Sequence, residues 1–153
     1  MILAGSLLSF NPLGNSVPDQ IVNETPVPLS TERSVQYPTD PVRITQGYSF
    51  FHPGLDLDGI TGDTIKPIKA GVVEAISRSK FAYGNAIIID HGNGLTSLYA
   101  HLSKILVTEG EEVTTLTKIG EMGATGHAFG DHLHLEVRDN GRPINPLSIL
   151  PLP

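Results

Sequence analysis

No cysteine occurs in the 153 residues. Its absence excludes a disulfide scaffold, a Cys-ligated zinc site and a lipid-modified cysteine anchor within them. Any bound metal must therefore take its donors from His, Asp or Glu. Lys and Arg together number 10 against 16 Asp and Glu, for a net charge of −6, and no basic cluster occurs. A surface that tracks nucleic-acid phosphates is thereby excluded, and the mild acidity implies solubility. Aromatic residues are scarce, at 6%. No amphipathic stretch of helix length carries caps, and no period of 20 to 50 residues suggests a repeat array. The length favours one domain with a sizeable core.

The N-terminal 41 residues differ from the rest. "MILAGSLLSF" is apolar and uncharged, too short to span a bilayer and without the basic region of a secretory signal. It reads either as a strand or as the trailing part of a membrane segment or signal in a longer precursor. From Asn11 to Pro41 the chain is rich in Pro, Ser, Thr and Asn with no sustained period, as in a linker or a draped arm. The folded domain is expected from Val42 to Pro153.

Within that domain the signals are those of strands. Thr64–Arg78 carries β-branched residues around a Lys69-Ala70-Gly71 turn. Ile87–Ile89 reads as a buried strand, Asn93-Gly94 as a tight turn and Thr96–Leu102 as the return strand. "ILVTEGEEV" adds a short strand and a glycine turn, and "DHLHLEVRDNGRPI" closes with a strand and an Asn140-Gly141 turn. The expectation is an all-β, mostly antiparallel domain. On the return strand, His101 would share a face with Tyr99, while Leu98, Ala100 and Leu102 take the other.

The chemistry begins at "DHLHLE". On a strand His132 and His134 share one face, with backbones roughly 6 to 7 Å apart. One can hold a metal while the other acts on what the metal binds. A catalytic zinc commonly takes three protein ligands from N and O donors, so His134 needs two partners. "HPGLD" is the candidate. On a straight strand His52 and Asp56 would lie roughly 13 Å apart, but a Pro53-Gly54 bend lets both converge. A metal hydrolase also needs groups that orient water and stabilise an oxyanion, and His101 and His132 remain for that work.

"HPGLD", "YAHL" and "DHLHLEV", in this order, resemble the M23 metallopeptidases, the lysostaphin and LytM type of peptidoglycan endopeptidase. "GDTIKPIKAGVVEAI", "YGNAIIIDHGNGLTSLYAHL" and "IGEMGATGHAFGDHLHLEVRDNGRPINPL" extend the likeness over about residues 42 to 150. The resemblance implies a LytM/lysostaphin-like sheet of the duplicated-hybrid-motif type, with long loops forming a metal-site groove. It implies a zinc endopeptidase acting as a monomer on peptidoglycan stem and cross-bridge peptides, in the cell envelope or secreted. By the same resemblance His52, Asp56 and His134 are the zinc ligands and His101 and His132 the catalytic histidines. The other reading is a non-catalytic wall-binding or regulatory module that activates another wall hydrolase. Family members of that kind typically lack ligands, whereas all five residues are present here.

Two departures concern the groove wall: "TLTKIG" lacks a glycine usual before Ile-Gly, and no arginine lies between Gly47 and His52. Glu136 shares the His134 face, either orienting a ligand or standing as a solvated rim charge. His91 reads as a turn residue, and His127 as a loop residue near the substrate. An amide from Asn11, Asn15 or Asn23 is a candidate for zinc's fourth position, which would make the arm inhibitory. The alternative is a spacer to a membrane tether upstream.

Overall fold

The computed structural model describes residues 34–153. Among these residues eleven strands follow one another: β1 (Ile44–Gln46), β2 (Leu55–Asp58), β3 (Thr64–Ile65), β4 (Gly71–Arg78), β5 (Asn85–Asp90), β6 (Leu95–Ala100), β7 (Lys104–Ile105), β8 (Glu112–Val113), β9 (Gly120–Glu121), β10 (His132–Asp139) and β11 (Arg142–Ile144). Among the described residues the only helical turn is Pro146–Ser148. The larger sheet runs β1-β2-β10-β6-β5-β4-β8, with β11 on β10, and the smaller runs β3-β9-β7. Every pairing is antiparallel. The expected all-β, mostly antiparallel fold is the one observed.

One face of the larger sheet makes the core. Leu55 and Leu57 of β2, Leu133, Leu135 and Val137 of β10, Tyr99 of β6 and Ile87 and Ile89 of β5 are buried together with Ile65 of β3. These positions alternate along each strand, as the period of two requires. The residues between them on β10, His134 and Glu136, are buried too. A strand with one face in the core and its polar face also covered has something built on that second face.

Register decides what lies there. His134 pairs with Asp56 on one side and Ala100 on the other, and Glu136 pairs with Leu98. Paired residues project to the same face, so Asp56, His134 and Ala100 form a row across three strands. Leu98 and Ala100 lie in a small apolar cluster with Ala86, Tyr83 and Ile88 on this face.

The core reaches back into the sequence the composition assigns to the arm. Val35 and Tyr37 pack against it, and the Gln36 amide donates to Ile68 O at 2.8 Å. The Gln36 side chain donates to Pro67 O at 2.9 Å and Thr115 O at 2.7 Å. Asn11, Asn15 and Asn23, the candidates for a fourth metal ligand, lie outside the described residues.

Candidate metal centre

The "HPGLD" segment bends as expected before entering β2, and Gly54 has a steric reason to be there. A Cβ at this position would sit 2.6 Å from the His134 ring and 2.7 Å from Leu135 O. Only glycine lets the bend lie flat against β10. His52 then swings toward Asp56, with Nε2 at 3.1 Å from Asp56 Oδ1, while His134 Nδ1 lies 2.7 Å from the same oxygen. One donor atom from each of the three residues falls within 4.8 Å of the others.

His101 corrects the expected alternation. The return strand ends at Ala100 rather than Leu102, and Tyr99 is fully buried in the core. Had β6 continued regularly, His101 would have pointed into that core beside Tyr99. Instead its φ is +63°, a left-handed value uncommon outside glycine. That twist throws the ring onto the other face, 4.7 Å from the His132 ring and 6.0 Å from the His134 ring between centroids. The chain is pinned in this turn by the His101 amide donating to Tyr83 O at 2.9 Å and the Leu102 amide to Asn85 O at 3.0 Å. His52, Asp56, His101, His132 and His134 thus line one cleft of about 580 Å3, together with Tyr83, His127 and Phe129.

Four of the cleft histidines share a construction. His52 Nδ1 meets Gly47 O at 2.9 Å, His101 Nδ1 meets Thr125 O at 2.8 Å and His132 Nδ1 meets Gly130 O at 3.0 Å. In His134 the nitrogens are exchanged, with Nε2 at 3.3 Å from Glu136 Oε1. Carbonyl and carboxylate oxygens only accept, so each of these outward nitrogens carries the proton. The second nitrogens of His52 and His134 face Asp56 Oδ1, whereas the Nε2 atoms of His101 and His132 are left for what enters the cleft.

Electrostatics agree with a centre built for positive charge. Burial pushes the Asp56 carboxyl up, but the hydrogen bond from His134 and the neighbouring imidazoles outweigh it and hold it below the usual carboxylate value. Burial pushes His134 down, but bonds to Asp56 and Glu136 outweigh it and raise its pKa to about 9. His134 has a carboxylate at each nitrogen, so without metal a proton sits on the Nδ1 that faces Asp56. A divalent cation can replace that proton and leave the Nε2–H bond to Glu136 intact. Two imidazole nitrogens and one carboxylate oxygen fit the donor set of zinc. Burial lowers the pKa of His101, helped by the neighbouring His132 and His134, and together they outweigh the hydrogen bond to Thr125 and the Asp56 charge.

The profile of peptidase family M23 matches residues 50–146, well over half of the chain. The chain belongs to peptidase family M23. The M23 match contains His52, Asp56, His101, His132 and His134. The DD-carboxypeptidase/endopeptidase Mpg of Neisseria meningitidis is 44% identical over 103 residues, covering 67% of this chain and 24% of that protein. The murein hydrolase activator NlpD of Escherichia coli is 40% identical over 98 residues, covering 64% of this chain and 26% of that protein. The chain thus spans about a quarter of the length of these curated relatives. Among solved structures, a zinc-containing peptidase from Vibrio cholerae superposes with a TM-score of 0.70 at 31% identity, over 74% of this chain and 39% of that one. The M23 fold anticipated from the motifs is the fold observed.

Of the remaining residues, Glu136 is not a rim charge: it is fully buried. Its i+2 spacing from His134 was the signal for its place on the site face, but the spacing carries no information on burial. Tyr83, whose ring stacks on His134 at 5.8 Å and 27°, had no such signal. His91 stands at the β5–β6 corner, as its turn reading requires, with hydrogen bonds to Ala70 O and Ser97 Oγ. His127 lines the cleft and touches Phe129 edge-on.

Proposed function

We propose that the chain is a zinc-dependent endopeptidase that hydrolyses peptide cross-links of bacterial peptidoglycan, outside the cytoplasm. The observation that carries this reading is the shared build of the four histidines, each with one nitrogen tied to an acceptor and the other turned to a common cleft. Three residues, His52, Asp56 and His134, would hold the metal. Zinc bound there supplies the Lewis acidity that polarises a carbonyl and makes water nucleophilic at neutral pH.

The chain's own part is acid–base work and positioning. His101 and His132 enter the reaction with Nδ1–H donated to a backbone carbonyl, so each Nε2 arrives as an acceptor. His132 Nε2 lies 4.0 Å from Asp56 Oδ1, beside the three donors. An Nε2 that takes a proton from the attacking water becomes an N–H donor, able to hold the developing oxyanion or protonate the leaving amine. Their backbone tethers keep both rings aimed through that exchange.

The similarity to NlpD favours a second reading, a module that activates another wall hydrolase. One experiment separates the two. Purified protein is assayed for zinc content and for cleavage of isolated peptidoglycan with and without a chelator. One zinc per chain with chelator-sensitive release of cross-linked peptides supports the endopeptidase. No cleavage of any wall type, with stimulation of an added wall amidase, supports the activator.

A further inference from the structure

Glu136 is fully buried, on a face where Leu98 and Ala100 would accommodate an apolar side chain. An isolated buried carboxylate is costly, and a buried ion pair often stabilises no more than an apolar replacement. Packing therefore does not account for this residue. Its hydrogen bonds divide cleanly between its two oxygens. Oε2 accepts from Arg138 Nε at 3.0 Å and Nη2 at 2.6 Å. Oε1 accepts from the Tyr83 hydroxyl and faces His134 Nε2 at 3.3 Å. Oε2 is anchored by Arg138, and Oε1, steadied by the Tyr83 hydroxyl, faces one ring nitrogen.

Strand geometry makes the arrangement rigid. His134, Glu136 and Arg138 occupy alternate positions of β10 and so share a face. Tyr83 approaches from the loop before β5, stacking its ring on His134 while its hydroxyl reaches Glu136. The Tyr83 carbonyl also accepts from the His101 amide. One loop residue therefore braces His134 through the carboxylate and His101 through the backbone.

We infer that Glu136, clamped by Arg138 and Tyr83, is a positioning residue that fixes His134 with Nε2–H outward and the Nδ1 lone pair toward Asp56 and His52. The inference rests on the reading of these three residues as the metal site. Without the carboxylate the ring can rotate or bind through the wrong nitrogen. Outer partners of metal-bound histidines typically carry about 10- to 100-fold in metal affinity. Arg138 and Tyr83 act one step further out, by holding the carboxylate in place.

The test uses the full chain and zinc itself. Zinc affinity is measured by competition with a chromophoric chelator for wild type, Glu136→Leu, Glu136→Gln and Tyr83→Phe, with melting of each metal-free protein as the folding control. Glu136→Leu should bind about 10- to 100-fold more weakly, with Glu136→Gln between it and wild type. Tyr83→Phe keeps the ring and the backbone bond to His101 and should lie at the low end of that range. In zinc-loaded wild type the His134 Nε2–H proton should be downfield and protected from exchange. In Glu136→Leu it should move upfield and exchange quickly, a change that a purely structural role would not produce. Wild-type affinity in folded Glu136→Leu overturns the inference. If both Glu136 variants fail to fold, unchanged affinity in Tyr83→Phe overturns it. A wild-type chain that binds no zinc overturns the metal-site reading, and this inference with it.

Discussion

The strand β6 has a buried histidine beyond each end, and the two are built differently. At the β5–β6 corner His91 has both nitrogens engaged, Nδ1 with Ala70 O at 2.9 Å and Nε2 with Ser97 Oγ at 2.7 Å. Ser97 continues to the Tyr99 hydroxyl at 2.9 Å, which also accepts from the Ile68 amide. At the opposite end His101 has Nδ1 tied to Thr125 O, while its Nε2 has no protein partner among the described hydrogen bonds. Burial lowers the pKa of both. Burial and titration therefore do not separate a histidine that serves the fold from one proposed to act in the cleft. The uncommitted nitrogen does, together with what it faces.

The largest effects should come from the residues His101 faces. His134→Ala and Asp56→Ala each remove one of three converging donors. Zinc content should drop from one per chain to background, and cleavage should vanish. Full zinc occupancy in either folded variant would show that the donors were misassigned.

Next come the two histidines beside the donors. His101→Asn, chosen because asparagine tolerates a left-handed φ, and His132→Ala should retain zinc yet lose about 100-fold or more in rate. A zinc-free His132→Ala beside a zinc-replete His134→Ala would mean the two roles on β10 are reversed.

His91 should behave in the opposite way. His91→Ala strands a carbonyl and a hydroxyl in the corner and should cost about 1 to 3 kcal/mol of stability by urea unfolding, with the proposed turnover by the folded protein unchanged. A fall in turnover without a fall in stability would erase the contrast between the two histidines.

The smallest effect is a pH dependence. The folded pKa of His91 lies below its ordinary value of 6.5, so the unfolded chain takes up that proton first as pH falls. The neutral ring's contribution is complete above about 6.5 and is lost as pH drops through the folded pKa. The stability gap between wild type and His91→Ala should therefore narrow from pH 7 to pH 5. A gap that widens would give the wrong sign.

These contrasts also show what a chain reveals before it is folded. The pair His132 and His134 was legible because a strand fixes which neighbours share a face. The "HPG" bend was legible because proline and glycine argue against both helix and straight strand. The steric need for Gly54 was not, since it depends on β10 lying against it. Nor was the placement of His101, where simple alternation gave the wrong face because one positive φ reverses it. Glu136 was on the right face, with its burial invisible until Tyr83 and Arg138 closed over it.

The amino-acid sequence by itself determined the donor chemistry: no thiolate, imidazoles and carboxylates in a set order, and strands whose period of two assigns each side chain a face. Only the tertiary structure decided which faces meet. The pairing of His134 with Asp56 joins residues 78 positions apart, and the turn at His101 is held by the carbonyls of Tyr83, Asn85 and Thr125. Local periodicity is a property of the backbone of one strand, whereas register and loop contacts arise when distant strands bury a common core.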